Sequence, residues 1–396
     1  MSEWKKLKLS ECCSSIADGD HQPPPKAEAG IPFVTISNMT STNQFDFSDT
    51  LFVPQEYYDK LDEKRKARKD DILYSVVGSF GIPVFMKEDK AFVFQRHIAI
   101  LRPDNEKIVP RFLFYTMLTK DFYAKADAAA IGAAQRTVSL TALRNMEICI
   151  PDKIQQSKIV DTLAAYDDLI ENNQKQIKLL EETAQRLYKE WFVDLRFPRY
   201  EDIEIVDGVP EGWTVKSMED IADYLNGYAF KPSDWGEVGK PIIKIKELND
   251  GITKDTPRNT GDDIPEKYRV FPGDIVFSWS ATLTAKIWDA EEGLLNQHLF
   301  KVTPYDGFCR EYVLQSILKT LDEFRNLTTG STMKHIQRGK LKQVFVKVPS
   351  PKIMDEYKKY ADTIRQQILV LSHKIIILQE ARDRLLPKLM SGEIGL

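Results

Sequence analysis

The sequence predicts an α+β chain built twice, each half closed by a long helix, with the two helices paired as an antiparallel coiled coil. Three observations predict it. The chain has 396 residues, too many for one ordinary domain. Six short segments recur in the same order about 200 residues apart. Two stretches with apolar residues at alternating steps of four and three stand one such offset apart.

The repeat runs the length of the chain. Trp4-Lys-Lys-Leu-Lys-Leu-Ser-Glu pairs with Trp213-Thr-Val-Lys-Ser-Met-Glu-Asp at an offset of 209, as does Gly30-Ile-Pro-Phe-Val-Thr-Ile36 with Gly239-Lys-Pro-Ile-Ile-Lys-Ile245. Asp71-Ile-Leu-Tyr-Ser75 pairs with Asp274-Ile-Val-Phe-Ser278 at 203, and Gln95-Arg-His97 with Asn296-Gln-His298 at 201. Gly132-Ala-Ala-Gln-Arg136 pairs with Gly330-Ser-Thr-Met-Lys334, and Ile150-Pro151 with Val348-Pro349, both at 198. The offset only shrinks, as loop deletions in one copy would make it.

Strands are expected at Ile31–Ile36, Asp71–Val77 and Ala91–Leu101, and again at Pro241–Leu248, Asp274–Ser280 and Leu294–Val302. Short helices are expected at Arg111–Lys125 and Arg310–Asn326. Arg196–Gly212, with two prolines and two glycines, reads as the connection between copies.

The first seam is Ile159, Leu163, Tyr166, Ile170, Asn173, Ile177, Leu180, Ala184, Leu187 and Trp191. Adding 198 gives Tyr357, Ala361, Ile364, Ile368, Leu371, Ile375, Leu378, Arg382, Leu385 and Leu389. Each has one conspicuous polar member, Asn173 and Arg382. Either the stripes bury each other or each packs on its own globular half. A strict heptad stripe is narrower than a globular helix face, which favours mutual burial. Pro387 should kink or fray the end of the second helix.

Composition narrows the class. With 42% hydrophobic residues the chain can build real cores and is not disordered. No run approaches a membrane span, and Met-Ser-Glu-Trp-Lys-Lys lacks the apolar core of a signal peptide. Four cysteines, Cys12 and Cys13 adjacent and Cys149 and Cys309 isolated, exclude a disulfide scaffold and lack zinc spacing, so a cytosolic protein is expected. The net charge of −4 argues against simple DNA binding. Yet Phe324–Met354 holds seven basic residues and no acid.

Catalytic constellations are missing. Gly236…Gly239-Lys240 has the wrong spacing for a phosphate loop, and the five histidines form no ligand cluster. His97 and His298, at equivalent places, read as structural. Gln22-Pro-Pro-Pro25 lacks the partners of a base-stacking methyltransferase turn. Neither a catalytic nor a metal site is expected.

Two diverged halves, each closed by a heptad helix, resemble the specificity (S) subunit of a type I restriction–modification system. Gly208-Val-Pro-Glu-Gly-Trp213, Lys189-Glu-Trp-Phe-Val-Asp-Leu195 and Leu385-Leu-Pro-Lys-Leu-Met-Ser-Gly-Glu-Ile394 carry the resemblance. It implies target-recognition domains at 1–152 and 213–350, a first spacer helix at 153–196, a linker at 197–212, and a second spacer helix with a C-terminal tail at 351–396. It implies a non-catalytic DNA reader of a bipartite double-stranded site, one half per domain. Two methyltransferase subunits, and restriction and translocase subunits through them, are the implied partners. S-adenosylmethionine, ATP and Mg²⁺ belong on those partners, with no cofactor on this chain. A stand-alone, two-headed DNA-binding regulator is the alternative. A 33-residue seam spans roughly 48 Å, on the order of 14 base pairs, which suits a fixed unread gap.

DNA contacts are expected first from Gly132–Leu143 and Gly330–Leu341, each placed just before a strand. Gln135, Arg136, Thr137 and Ser139 are the candidates in one, and Lys334, His335, Gln337 and Arg338 in the other. Arginine suits guanine and glutamine suits adenine. The loops after the second strands add Ser79, Ser280 and Thr282. The early loops His21–Lys26 and Tyr228–Lys231 add Lys26 and Lys231.

Overall fold

The structure, a computed structural model, describes residues 4–40, 42–133, 135–253, 255–280, 282–327, 336 and 338–396. The chain divides into two compact units, Met1–Asp168 with Gln379–Leu396, and Leu169–Leu378.

In the first unit, four antiparallel strands lie in the order Cys13–Asp18, Ile98–Pro103, Ile72–Ser75, Pro83–Phe85. A second sheet orders Leu51–Val53, Ile31–Val34, Val93–Phe94, the last two parallel. Lys5–Lys8 pairs with Glu147–Ile150 at the base. The second unit repeats this plan. Its main sheet is Ala222–Asn226, Leu299–Pro304, Ile275–Ser278, Thr284–Ile287, and Thr214–Ser217 pairs with Phe345–Val348. Lys240–Ile243 lies parallel to Gly293–Leu295 in its second sheet.

The continuous apolar runs at 72–74 and 275–277 follow from burial on both faces. Alternate side chains enter different cores. Ile72 and Tyr74 join a cluster with Phe112 and Leu143, while Leu73 joins Val34, Phe94 and Ile100. Ile275 and Phe277 separate from Val276 in the same way.

Several expected elements are interrupted, each for a local reason. The strand expected at Pro241–Leu248 ends at Ile243, and Ile245–Asp250 is a helix. Its start is capped by Glu247, which accepts from the Lys244 amide at 3.1 Å. At the matching position in the first unit, Asn38 accepts from the Thr35 amide at 2.9 Å, so Ile31–Ile36 is strand only to Val34. Three-residue turns split Ala91–Leu101 and Leu294–Val302. The helix expected at Arg111–Lys125 breaks between Pro110–Met117 and Lys120–Ala129, where Thr119 caps the second piece by accepting from Phe122 N–H at 3.2 Å. Arg310–Asn326 breaks at Thr320, whose hydroxyl donates back to Ser316 C=O at 2.8 Å.

The long helices are Lys153–Tyr188 and Pro351–Met390, 36 and 40 residues, or about 54 and 60 Å at 1.5 Å per residue. In the first unit, Ile159 and Leu163 at the start of one share an apolar cluster with Leu389 at the end of the other, and Leu385 packs against that cluster. Arg382 donates to Asp167 there at 2.9 Å. In the second unit, Trp191 and Phe192, just past the end of the first helix, pack on Tyr357 near the start of the second, with ring centroids 5.7 and 4.8 Å apart. The helices therefore run antiparallel where their ends meet, and there each stripe joins the core of a globular half. Ile159, Leu163, Ile170, Asn173 and Ile368 are buried. Ile177, Leu180, Leu187, Ile364, Leu371, Ile375, Leu378 and Leu385 are half-buried, whereas the off-seam residues Leu179, Ile376 and Ile377 are exposed.

Pro387 lies inside the second helix, which continues three residues beyond it. The first helix widens instead into a π-turn, Lys189–Val193, closed by Asp194 N–H donating to Lys189 C=O at 2.8 Å. Trp191 and Phe192 are both buried in it. No helix among the described residues is long and apolar enough to cross a membrane.

Candidate nucleic-acid interface

In the first unit, four separated segments meet along one rim of the main sheet. The turn Gln95–His97 is closed by Ile98 N–H donating to Gln95 C=O at 3.0 Å. Asp20, from the early loop, accepts the Arg96 N–H at 2.9 Å. On the other side Val76 N–H donates to His97 C=O, and Val138 N–H donates to Val76 C=O, both at 2.9 Å. Gly19 has to be glycine, because a Cβ there would lie 2.2 Å from Phe94 O.

The second unit repeats three of these joints with different side chains. Leu299 N–H closes the turn on Asn296 C=O at 3.0 Å, and Gln297 N–H donates to Tyr228 C=O at 2.9 Å. Ile336 N–H reaches Trp279 C=O at 3.0 Å, and a Cβ on Gly227 would stand 2.2 Å from Asn296 O. The Ser75 hydroxyl donates to Ser79 C=O at 2.9 Å, and the Ser278 hydroxyl to Ser280 C=O at 3.1 Å.

The side chains on the two rims differ. Beside the first lies an open groove of about 400 Å³, whose wall includes Pro23, Pro25, Lys26, Phe52, Arg96 and His97. Burial, reinforced by the neighbouring Arg96 charge, holds the His97 imidazole below its ordinary pKa, so it is neutral at neutral pH. The second rim is aromatic instead, with Tyr228 packed on Phe230 and Tyr268 and Trp279 beside His298.

The candidates from the sequence fall on these rims with unequal freedom. Gln135, Ser79 and Lys26 are exposed, as are Thr282 and Lys231. Arg136 is exposed but paired with Asp127 and lies over the Phe80 ring, 5.6 Å from its centroid. Thr137 is half-buried in backbone bridges to Val77 and Ile131. Ser139 is a helix cap: its hydroxyl oxygen accepts from Ala142 N–H at 3.1 Å, so Gly132–Leu143 runs into the helix Leu140–Asn145 rather than directly into a strand. Gly330–Leu341 likewise meets a helical turn, Arg338–Gln343, before its strand. Ser280 is buried, and Arg338 pairs with Asp223 at 3.2 Å. Lys334, His335 and Gln337 lie outside the described residues.

Two exposed residues on the rims, Arg96 and Gln297, were used in the sequence only to align the copies. Among the described residues no group of three His, Cys, Asp or Glu could hold a metal ion.

Comparison with known proteins accords with a doubled architecture. The family described as "Type I restriction modification DNA specificity domain" matches residues 1–182 and 210–376. The HindI specificity subunit of Haemophilus influenzae is 24% identical over the whole of both chains. The MjaIX specificity subunit of Methanocaldococcus jannaschii is 24% identical over 72% of this chain and 69% of its own. The crystal structure of a type I system S subunit from M. genitalium superposes with a TM-score of 0.55 at 16% identity, covering 98% of this chain and 96% of that one.

Proposed function

The chain belongs to the type I restriction modification DNA specificity family, and from that premise we propose that it reads a bipartite DNA site, one half with each rim, for methyltransferase subunits docked on its helices. Proteins of this family are the non-catalytic DNA-recognition subunits of type I systems. The observation that carries the bipartite reading is the doubled rim. Three of its backbone joints recur in both units, while the side chains mounted on them differ, so two unlike half-sites are expected. Sequence is read by side chains at base edges and position is held by phosphate contacts. The net charge of −4 fits a reader whose non-specific attraction to DNA comes partly from its partners. S-adenosylmethionine on the methylating subunits, and ATP with Mg²⁺ on the translocating ones, complete the proposal.

The test is to map methylated bases in the host genome with and without this gene. Loss of one split motif with two unlike halves supports the reading. No change in methylation, with no methyltransferase chain co-purifying from native cells, overturns it in favour of a stand-alone regulator.

A further inference from the structure

We propose that Arg96 and Gln297 are the matched base-reading residues of the two rims, Arg96 for a guanine and Gln297 for an adenine; this rests on the DNA-reading function above. The two stand at the centre of equivalent turns. Each gives its own amide to the early loop, Arg96 to Asp20 and Gln297 to Tyr228, both at 2.9 Å. Each turn is closed beneath by a further amide at 3.0 Å and backed by a glycine that admits no Cβ. Within each trio the flanking residues turn inward. Gln95 and His97 are half-buried, as is His298, and Asn296 is buried, whereas the central residue is exposed.

A long polar side chain on a fixed backbone loses less freedom on binding than one on a loose loop. The other two arginines on the rims are engaged, Arg136 by Asp127 and Arg338 by Asp223. Arg96 has no side-chain hydrogen bond or ion pair among the described residues. Gln297 has one weak contact, 3.4 Å from its Nε2 to His298 Nε2. The chemistry then assigns the base. A guanidinium offers two parallel donors to guanine O6 and N7, and a carboxamide offers a donor and an acceptor to adenine N7 and N6.

The experiment uses the chain assembled with its methyltransferase subunits, and selects bound sequences from a randomised duplex library. Arg96→Gln should lose the preference for one G·C pair in one half-site, by about 5- to 150-fold, and leave the other half unchanged. Gln297→Arg should act reciprocally, replacing a preference for A·T with one for G·C in the other half only. Arg96→Lys keeps the charge but not the paired donors, so it should lose base preference while retaining most non-specific affinity. Uniform weakening in Arg96→Gln, with base preference intact and Arg96→Lys unaffected, identifies a phosphate contact and overturns the inference while DNA reading stands. Absence of any sequence preference in the unmodified assembly overturns the functional reading itself.

Discussion

The two repeats attach their globular halves to the long helices at the same place, but with opposite charges. In the first unit Arg111, on the helix Pro110–Met117, lies 3.6 Å from Asp167 and 3.1 Å from Asp168. In the second, Glu311, on the equivalent helix, binds Arg365 at 2.8 Å. Residue 311 stands 200 after 111, and 365 stands 198 after 167. Duplication kept the backbone and reversed the ion pair. A globular half seated on the other half's helix would set Arg111 against Arg365, or Glu311 against Asp167. The difference teaches that the copies are alike in shape yet electrostatically addressed, which disfavours the wrong pairing.

The largest effect should come from the more buried pair. Glu311 is 2% exposed and Arg365 13%, and both Nε and Nη2 of the arginine bind one carboxylate oxygen. Arg365→Glu should cost about 3–5 kcal/mol in denaturant unfolding. The double exchange with Glu311→Arg should recover most of it. A stable Arg365→Glu variant would remove the addressing argument.

Next in size is a test of sameness. Gly19→Ala and Gly227→Ala each force a Cβ to within 2.2 Å of a carbonyl oxygen. Each should cost about 3 kcal/mol by thermal or chemical unfolding, near the top of the range for overpacking. Clearly unequal costs would mean that the rims are built differently.

Arg111→Glu should cost less, about 1–2 kcal/mol, because Asp168 is 60% exposed and Asp167 keeps Arg382 and Tyr115 as partners. An Arg111→Glu cost matching that of Arg365→Glu would show that the pairs are equivalent despite their burial.

The smallest effect is a pH dependence. The His97 pKa is depressed in the folded chain, so below about pH 6.5 the unfolded chain binds the proton more readily. Stability from this residue is full above that value and falls as pH drops toward the folded pKa. His97→Gln should flatten the pH profile of unfolding between pH 7 and 5. A His97 proton signal titrating at or above the ordinary histidine midpoint by NMR would contradict this.

Much of the architecture was legible because it repeats. Six ordered matches and two seams gave the doubled design, and period four-three spacing found helices that close on each other. The interruptions were not legible, because they turn on single polar atoms. Lys244-Ile-Lys-Glu247 has the alternation of a strand, and only the Glu247 carboxylate reaching back to the Lys244 amide ends it. Ser139 shows the same limit at the rim. Its hydroxyl reads as standing just before a strand, and only the bond from Ala142 N–H shows that it caps a helix. Spacing matched each loop to its counterpart in the other copy, yet adjacency of the turn at Gln95–His97 depends on long-range backbone bonds to Asp20 and Val76. The Arg111 and Glu311 reversal was present in the offsets, but nothing local marks those residues as facing a helix.

The π-turn at Lys189–Val193 bears on how such a chain can change length between generations. Inside the seam, inserting or deleting one residue rotates everything beyond it by about 100°, taking the apolar stripe off its partner. A π-turn is an α-helix that already holds one residue in excess. Removing a residue there tightens the turn to an ordinary helical one, leaving the seam in phase as far as Leu187, and adding one lengthens a segment whose hydrogen bonds are already displaced. Single-residue length variation among descendants of this gene should therefore collect at Lys189–Val193, while the seams change length only by whole heptads.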